Sequence, residues 1–209
     1  MKPTLQLPST IRFPEENEVP MNSSVLERLK ESKNANIVPG YVFKPKDDNP
    51  DNVDLPFEFY AEINIDNPIL WNLIIALCEE TIPENCALIF GHTDFEINYG
   101  IYENKSEILK YLENYKIELT NDTLLNWGII YHDDESLIEV FVDESKYLKY
   151  WGNDEDKFRK VMDQFNLREI ENLEFIDEYP KVRENIKLHF RNILETGELI
   201  ETLKQKFII

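Results

Sequence analysis

Residues 57–65, FEFYAEINI, alternate apolar and polar side chains without interruption, and no other feature of the sequence restricts the fold more. Side chains alternate between the two faces of a β-strand, so this run predicts a strand with one buried face. Pro68 follows, and the apolar run ILWNLIIALC at 69–78 predicts a core helix over 69–80. A strand with one apolar face requires another layer against it, and this helix is suited to that position.

Two hairpins are predicted further along the chain. CALIFG at 86–91 pairs with the alternating run at 94–102, and LLNWGIIYH pairs with SLIEVFVD around the turn at 133–135. Helices are predicted at 106–115 and 154–165. Hairpins separated by helices, without repeated strand-helix-strand crossovers, favour an α+β fold. We expect an antiparallel sheet of hairpins with helices packed on one face and a C-terminal helical segment.

The two ends of the chain differ in character. Residues 1–22 contain four prolines and predict an extended arm, whereas residues 166–209 predict a helical C-terminal extension that packs on the core. Within this extension the apolar spacing predicts an amphipathic helix at 181–194, and a final helix follows Gly197. We treat residues 1–209 as a single α+β domain, with a polar loop at 45–56.

The N-terminus lacks the apolar core of a secretory signal, and the longest apolar helical run is about half of what a bilayer crossing needs. Cys78 and Cys86 are the two cysteines, both among apolar neighbours. Buried reduced thiols are therefore the favoured interpretation, and a disulfide is the lesser alternative. These features together favour a reducing cytoplasm.

The chain has a net charge of -19, and its excess of acid lies within residues 1–156. Thirteen acids and no lysine or arginine occur between Lys46 and Lys105, and eight acids fill a second base-free interval from Glu118 to Ser145. Such a field repels nucleic-acid phosphates and anionic lipid. It attracts basic proteins and metal cations, although acidity that serves solubility alone is the simpler alternative.

The polar side of the predicted sheet is the candidate binding surface. The run KYLKYWGN at 146–153 is predicted to pack as an edge segment through Tyr147, Tyr150 and Trp151. Tyrosine and tryptophan often anchor protein interfaces, so a partner contact at this run is the alternative. If the strands are neighbours, one surface would present Glu58, Tyr60, Glu62, Asp94, Glu96, Asp133, Asp134, Glu135, Glu139, Tyr147 and Trp151.

No catalytic residue is assigned, because the sequence contains neither a GxSxG nucleophile motif nor a glycine-rich phosphate loop. No cofactor is expected. One alternative pairs His92 and Asp94 with His132 and Asp134, because two converging His-x-Asp turns would supply suitable ligands for Zn²⁺ or Mn²⁺. That arrangement would make the protein a metal-dependent hydrolase.

The leading hypothesis is a non-catalytic acidic protein that binds a basic protein partner. In general character the chain resembles bacterial toxin-immunity proteins, which are often small, acidic, α+β and free of catalytic motifs. No signature motif carries this resemblance, and no family is assigned from it. It implies an inhibitor whose carboxylates occupy the cationic groove of a toxin.

Overall fold

The computed structural model of the protein describes residues 4–47 and 54–208. Seven strands form one antiparallel sheet, and two short strands form a second sheet. The strands are β1 (Ile11–Arg12), β2 (Gly40–Pro45), β3 (Phe59–Asn64), β4 (Asn85–His92), β5 (Asn98–Asn104), β6 (Leu125–His132), β7 (Leu137–Val142), β8 (Leu148–Gly152) and β9 (Val182–Arg183). The α-helices are α1 (Ser23–Ser32), α2 (Asn67–Thr81), α3 (Lys105–Leu112), α4 (Lys116–Asn121), α5 (Glu155–Gln164) and α6 (Thr196–Phe207).

The large sheet has the strand order β2-β3-β8-β7-β6-β4-β5, and each neighbouring pair is antiparallel. The predicted α+β class is confirmed. β8 lies inside the sheet between β3 and β7, so the prediction that 146–153 is an edge segment is wrong. The side chains of β8 alternate between the two faces of the sheet, and Leu148 and Tyr150 are buried in the core.

The core lies between one face of the sheet and the helices. Leu70, Leu73 and Leu77 of α2 are fully buried, and each contributes roughly 1.5–3 kcal/mol through burial. α2 ends at Thr81 because Pro83 follows closely and disfavours helical geometry in the residue before it. The Nζ of Lys105 donates to the Cys78 and Ile82 carbonyls at 3.0 and 2.6 Å, which satisfies acceptors at this helix end.

The predicted helix at 181–194 is wrong. Val182 and Arg183 instead form β9, which pairs with Ile11 and Arg12 of β1. A short 3₁₀ turn covers Ile186–Leu188, and Asn192 has a φ of 58°, which an α-helix does not tolerate. Of the apolar side chains at helical spacing only Ile186 is buried, and pairing with a distant strand outweighs the local helical pattern.

The predicted N-terminal arm packs against the rest of the fold through apolar side chains. Residues 1–3 of the arm lie outside the described residues. Ile11 joins Ala35, Ile37, Ile176 and Tyr179 in a small cluster separate from the main core. α6 is the helical part of the C-terminal extension, and it packs on the main core through buried Leu199, Leu203 and Phe207.

Candidate functional site

The face of the sheet opposite the helices carries mostly half-buried side chains, with exposed ones on its two edge strands. Strand register places one row of side chains across it, in the order Lys44, Tyr60, Trp151, Glu139, Ile130, Ala87 and Tyr102. The next row is Val42, Glu62, Lys149, Phe141, Gly128, Ile89 and Tyr99. We call these two rows the open face.

Aromatic rings form much of the open face. The ring centroids of Tyr60 and Trp151 are 4.8 Å apart, and both side chains are half-buried. The ring of Phe141 lies beside Gly128, where a Cβ would come within 3.2 Å of its Cδ2 atom. The Tyr102 hydroxyl accepts from the His132 N–H at 2.8 Å and donates to the His132 carbonyl at 3.0 Å. Flat rings laid along a sheet in this way resemble the apolar part of an interface.

The open face is less acidic than the sequence predicted. Glu62 binds Lys44 at 3.2 Å, and Lys149 binds Asp143, the residue after β7, at 2.7 Å. These two carboxylates are therefore neutralised by lysines of the same face. The two base-free intervals of the sequence did not reveal this, because Lys44 and Lys149 lie outside both intervals and strand pairing brings them to the carboxylates.

Glu139 differs from the other carboxylates of the open face. It is half-buried, and its side chain makes no hydrogen bond or ion pair with another residue of the described chain. Burial raises the pKa of its carboxyl to about 7. The group is thus a desolvated acid whose charged form has no compensating partner within the described residues.

Three acidic segments meet at one end of the sheet, around the carbonyl of Pro56. This oxygen accepts from the backbone N–H of Leu137 at 2.7 Å and from Nδ2 of Asn153 at 2.9 Å. It thereby joins the loop before β3, the β6–β7 turn and the start of α5. We call the carboxylates of these segments the acidic end; they are Asp54, Glu58, Asp133, Asp134, Glu135 and Asp154.

Within the acidic end the carboxylates have different partners. Asp133 accepts from the Tyr131 hydroxyl and from the N–H groups of Glu135 and Ser136, and these bonds lower its pKa and form the turn. Asp154 caps α5 and contacts Lys157 at 3.3 Å. Asp134 and Glu135 are exposed at the tip of the turn, so they are directly available to a partner.

Asp94 and Glu96 do not join the other predicted binding residues. They lie in the exposed β4–β5 turn, because β5 begins at Asn98 rather than at 94. Register puts this turn at the opposite end of the sheet, since His92 pairs with Leu125, the first residue of β6. The prediction that these two acids share one surface with Glu58 and the 133–135 turn is wrong.

The same register separates the two His-x-Asp turns. His92 lies opposite the first residue of β6, and His132 is the last residue of that strand, eight residues long. At about 3.3 Å per residue the two histidines are on the order of 20 Å apart. The proposed joint metal site is therefore contradicted, and no group of three or more potential metal ligands occurs among residues 4–47 and 54–208.

Tyr147 is not available as an interface anchor, contrary to prediction. It is 6% exposed and packs against Leu173 and Phe175, with 4.8 Å between its ring centroid and that of Phe175. Burial raises its pKa. The predicted residues that the fold does bring together at or beside the acidic end are Glu58, Tyr60, Asp133, Asp134, Glu135, Glu139 and Trp151. Phe141 was missed, although its position two residues after Glu139 in an alternating strand indicated the same face.

Comparison with protein-family models, curated proteins and solved structures found no match to this chain. Within the described part of the chain, no helix has both the length and the apolar character that a membrane crossing requires.

Proposed function

We propose that the protein is a non-catalytic binding protein that recognises a basic protein partner, in the manner of an immunity or inhibitor protein. The observation that supports this most directly is the convergence of three acidic segments on the Pro56 carbonyl. They adjoin the Tyr60–Trp151 pair of the open face. Charged groups beside partly exposed aromatic rings are the combination from which protein interfaces are built.

The two parts of this surface have separate roles in the proposed complex. The acidic end steers a cationic partner during encounter, and such steering raises association rates by roughly 10- to 1,000-fold at low salt. The open face then supplies apolar contact area, with Trp151 and Tyr60 as anchors. Nucleic acid is disfavoured as a partner, because phosphates would meet carboxylates at this end of the sheet.

A reducing cytoplasm is the location we propose for this interaction. Cys78 and Cys86 are both buried and both free, as expected for thiols that are never oxidised. Burial raises the pKa of Cys86 to about 11, so its thiol stays protonated and unreactive at neutral pH.

The experiment compares two charge-matched double variants as immobilised baits in extract of the native cell. The test variant is Asp134→Asn with Glu135→Gln, at the tip of the β6–β7 turn. The control is Asp94→Asn with Glu96→Gln, at the tip of the β4–β5 turn, which removes the same two charges from the opposite end of the sheet.

We expect the wild type and the control to retain the same basic protein at low salt and to release it at the same higher salt. The test variant should release that protein at distinctly lower salt, because fewer carboxylates attract it and less salt is needed to screen the remaining attraction. The proposal would be refuted if both variants released the protein at the same salt concentration, or if the retained proteins were not basic.

A further inference from the structure

Glu139 lies among apolar side chains on the open face. Trp151 is its partner on β8 and Ile130 is its partner on β6. Leu137 and Phe141 precede and follow it on the same side of β7, since side chains two residues apart share a face. A carboxylate in the middle of four apolar neighbours is unusual on a surface that has polar positions to spare.

Two other carboxylates on this side of the sheet, Glu62 and Asp143, are each paired with a lysine. Lys44 contacts Glu62 at 3.2 Å and Lys149 contacts Asp143 at 2.7 Å, so neither lysine of the open face is paired with Glu139. Burial of a carboxylate without a cation is unfavourable, and a cation delivered from outside would remove that cost. The raised pKa of Glu139 reports the same lack of compensation.

The surroundings of Glu139 favour a guanidinium group over other cations. A guanidinium is planar, donates two parallel hydrogen bonds to a carboxylate and stacks on aromatic rings, here that of Trp151. An ammonium group is more strongly hydrated and loses more on entering a partly apolar site. A divalent metal ion would require several oxygen or nitrogen ligands, and the described residues offer one carboxylate here.

We propose that Glu139 is the receptor for one arginine side chain of the partner, with the guanidinium paired to its carboxylate and stacked against Trp151. This inference rests on the proposed function and adds the chemistry of the contact at its centre. The acidic end draws in the partner by charge, and Glu139 selects a single arginine within the interface.

The test uses small probes and needs no knowledge of the partner. Nα-acetylarginine amide, Nα-acetyllysine amide and Nα-acetylcitrulline amide are titrated into the full chain, and the indole N–H signal of Trp151 is followed by nuclear magnetic resonance. Trp151→Phe assigns that signal. Glu139→Gln is the test variant, and Glu96→Gln in the distant exposed turn is its matched control; urea unfolding confirms that both variants fold.

We expect the arginine probe to shift the Trp151 signal in a saturable way, in the wild type and in Glu96→Gln alike. Glu139→Gln should weaken this binding at least tenfold. The lysine probe should bind more weakly than the arginine probe, and the neutral citrulline probe should not bind. No response to arginine, equal affinity for lysine or citrulline, or unchanged affinity in Glu139→Gln would each overturn the inference.

The outcome is separable from that of the proposed function. If the arginine probe fails while capture of a basic protein still depends on Asp134 and Glu135, the inference falls and the proposed function stands. If the arginine probe binds as expected while capture is the same for both charge-matched variants, the proposed function falls.

Discussion

Glu139 and Trp151 occupy directly opposite positions on β7 and β8, and both side chains are half-buried on the open face. The pairing places an ionisable group beside an indole ring. Cross-strand neighbours of this kind determine much of the local energetics of a sheet. The consequences of the pair therefore extend from binding to the stability of the fold.

The first prediction concerns the pH dependence of stability. The carboxyl of Glu139 has a pKa of about 7 in the folded protein against 4.5 as its ordinary value. The unfolded chain therefore releases this proton at lower pH than the folded chain does, and the free energy of unfolding falls as pH rises from about 4.5 to about 7. At about 1.4 kcal/mol for each pH unit, the cost to the wild type reaches about 3 kcal/mol at pH 8.

Glu139→Gln removes this titration. We expect the variant to be more stable than the wild type by up to about 3 kcal/mol at pH 8, and by less than about 1 kcal/mol at pH 5. Urea unfolding at the two pH values measures the difference. The same gain at both pH values would contradict the raised pKa.

The second prediction compares two glycines. A Cβ at Gly128 would lie 2.6 Å from the Val140 carbonyl oxygen and 3.2 Å from the ring of Phe141. Gly128→Ala should therefore destabilise the protein by roughly 1–3 kcal/mol through overpacking. Gly197, in the first turn of α6, has nothing within 4 Å of such a Cβ. Gly197→Ala should instead stabilise by up to about 1 kcal/mol.

Thermal unfolding of the two variants measures these effects side by side. The same substitution is made in each, so the difference reports the surroundings alone. A Gly128→Ala protein as stable as the wild type would contradict the close approach of β7 at the Val140 carbonyl and at Phe141.

The third prediction concerns the two thiols. Both are buried, and burial raises the pKa of each. We expect neither Cys78 nor Cys86 to react with a disulfide reagent such as dithionitrobenzoate at pH 8 in the folded protein, and both to react in urea, because the thiolate is the nucleophile. Rapid reaction of one thiol without denaturant would contradict its burial.

The fourth prediction concerns the irregular segment that carries Phe175. This side chain is 7% exposed and covers Tyr147. Phe175→Ala should cost about 3 kcal/mol and loosen the segment, so that trypsin cleaves more rapidly after exposed Arg168. The control is Leu188→Ala, since Leu188 is 76% exposed and its removal should leave cleavage unchanged.

The parts of the fold that local patterns determine were predictable. The alternation of FEFYAEINI and the apolar run after Pro68 gave β3 and α2 to within two residues. The prediction of a helix at 181–194 was wrong because Val182 and Arg183 pair with β1, more than 160 residues away, and Asn192 has a positive φ. Sequence periodicity reports which side chains are buried and cannot report which distant strand buries them.

The candidate site was predictable to the extent that it depends on single strands. Glu58, Tyr60 and Glu62 share a face by alternation alone. That Trp151 and Glu139 join them follows from the insertion of β8 between β3 and β7, which no local pattern encodes. The separation of His92 from His132 has the same origin, because the direction of β6 relative to β4 places the two turns at opposite ends.

The two hydrogen bonds to the Pro56 carbonyl have a consequence for how a partner is met. They join the chain at Pro56, Leu137 and Asn153 through a single atom. The backbone spacing between the three acidic segments is thus restrained before any encounter, and less backbone entropy remains to be lost on association. The acidic end is therefore preorganised, and the affinity of a partner would be limited by the partner's own flexibility.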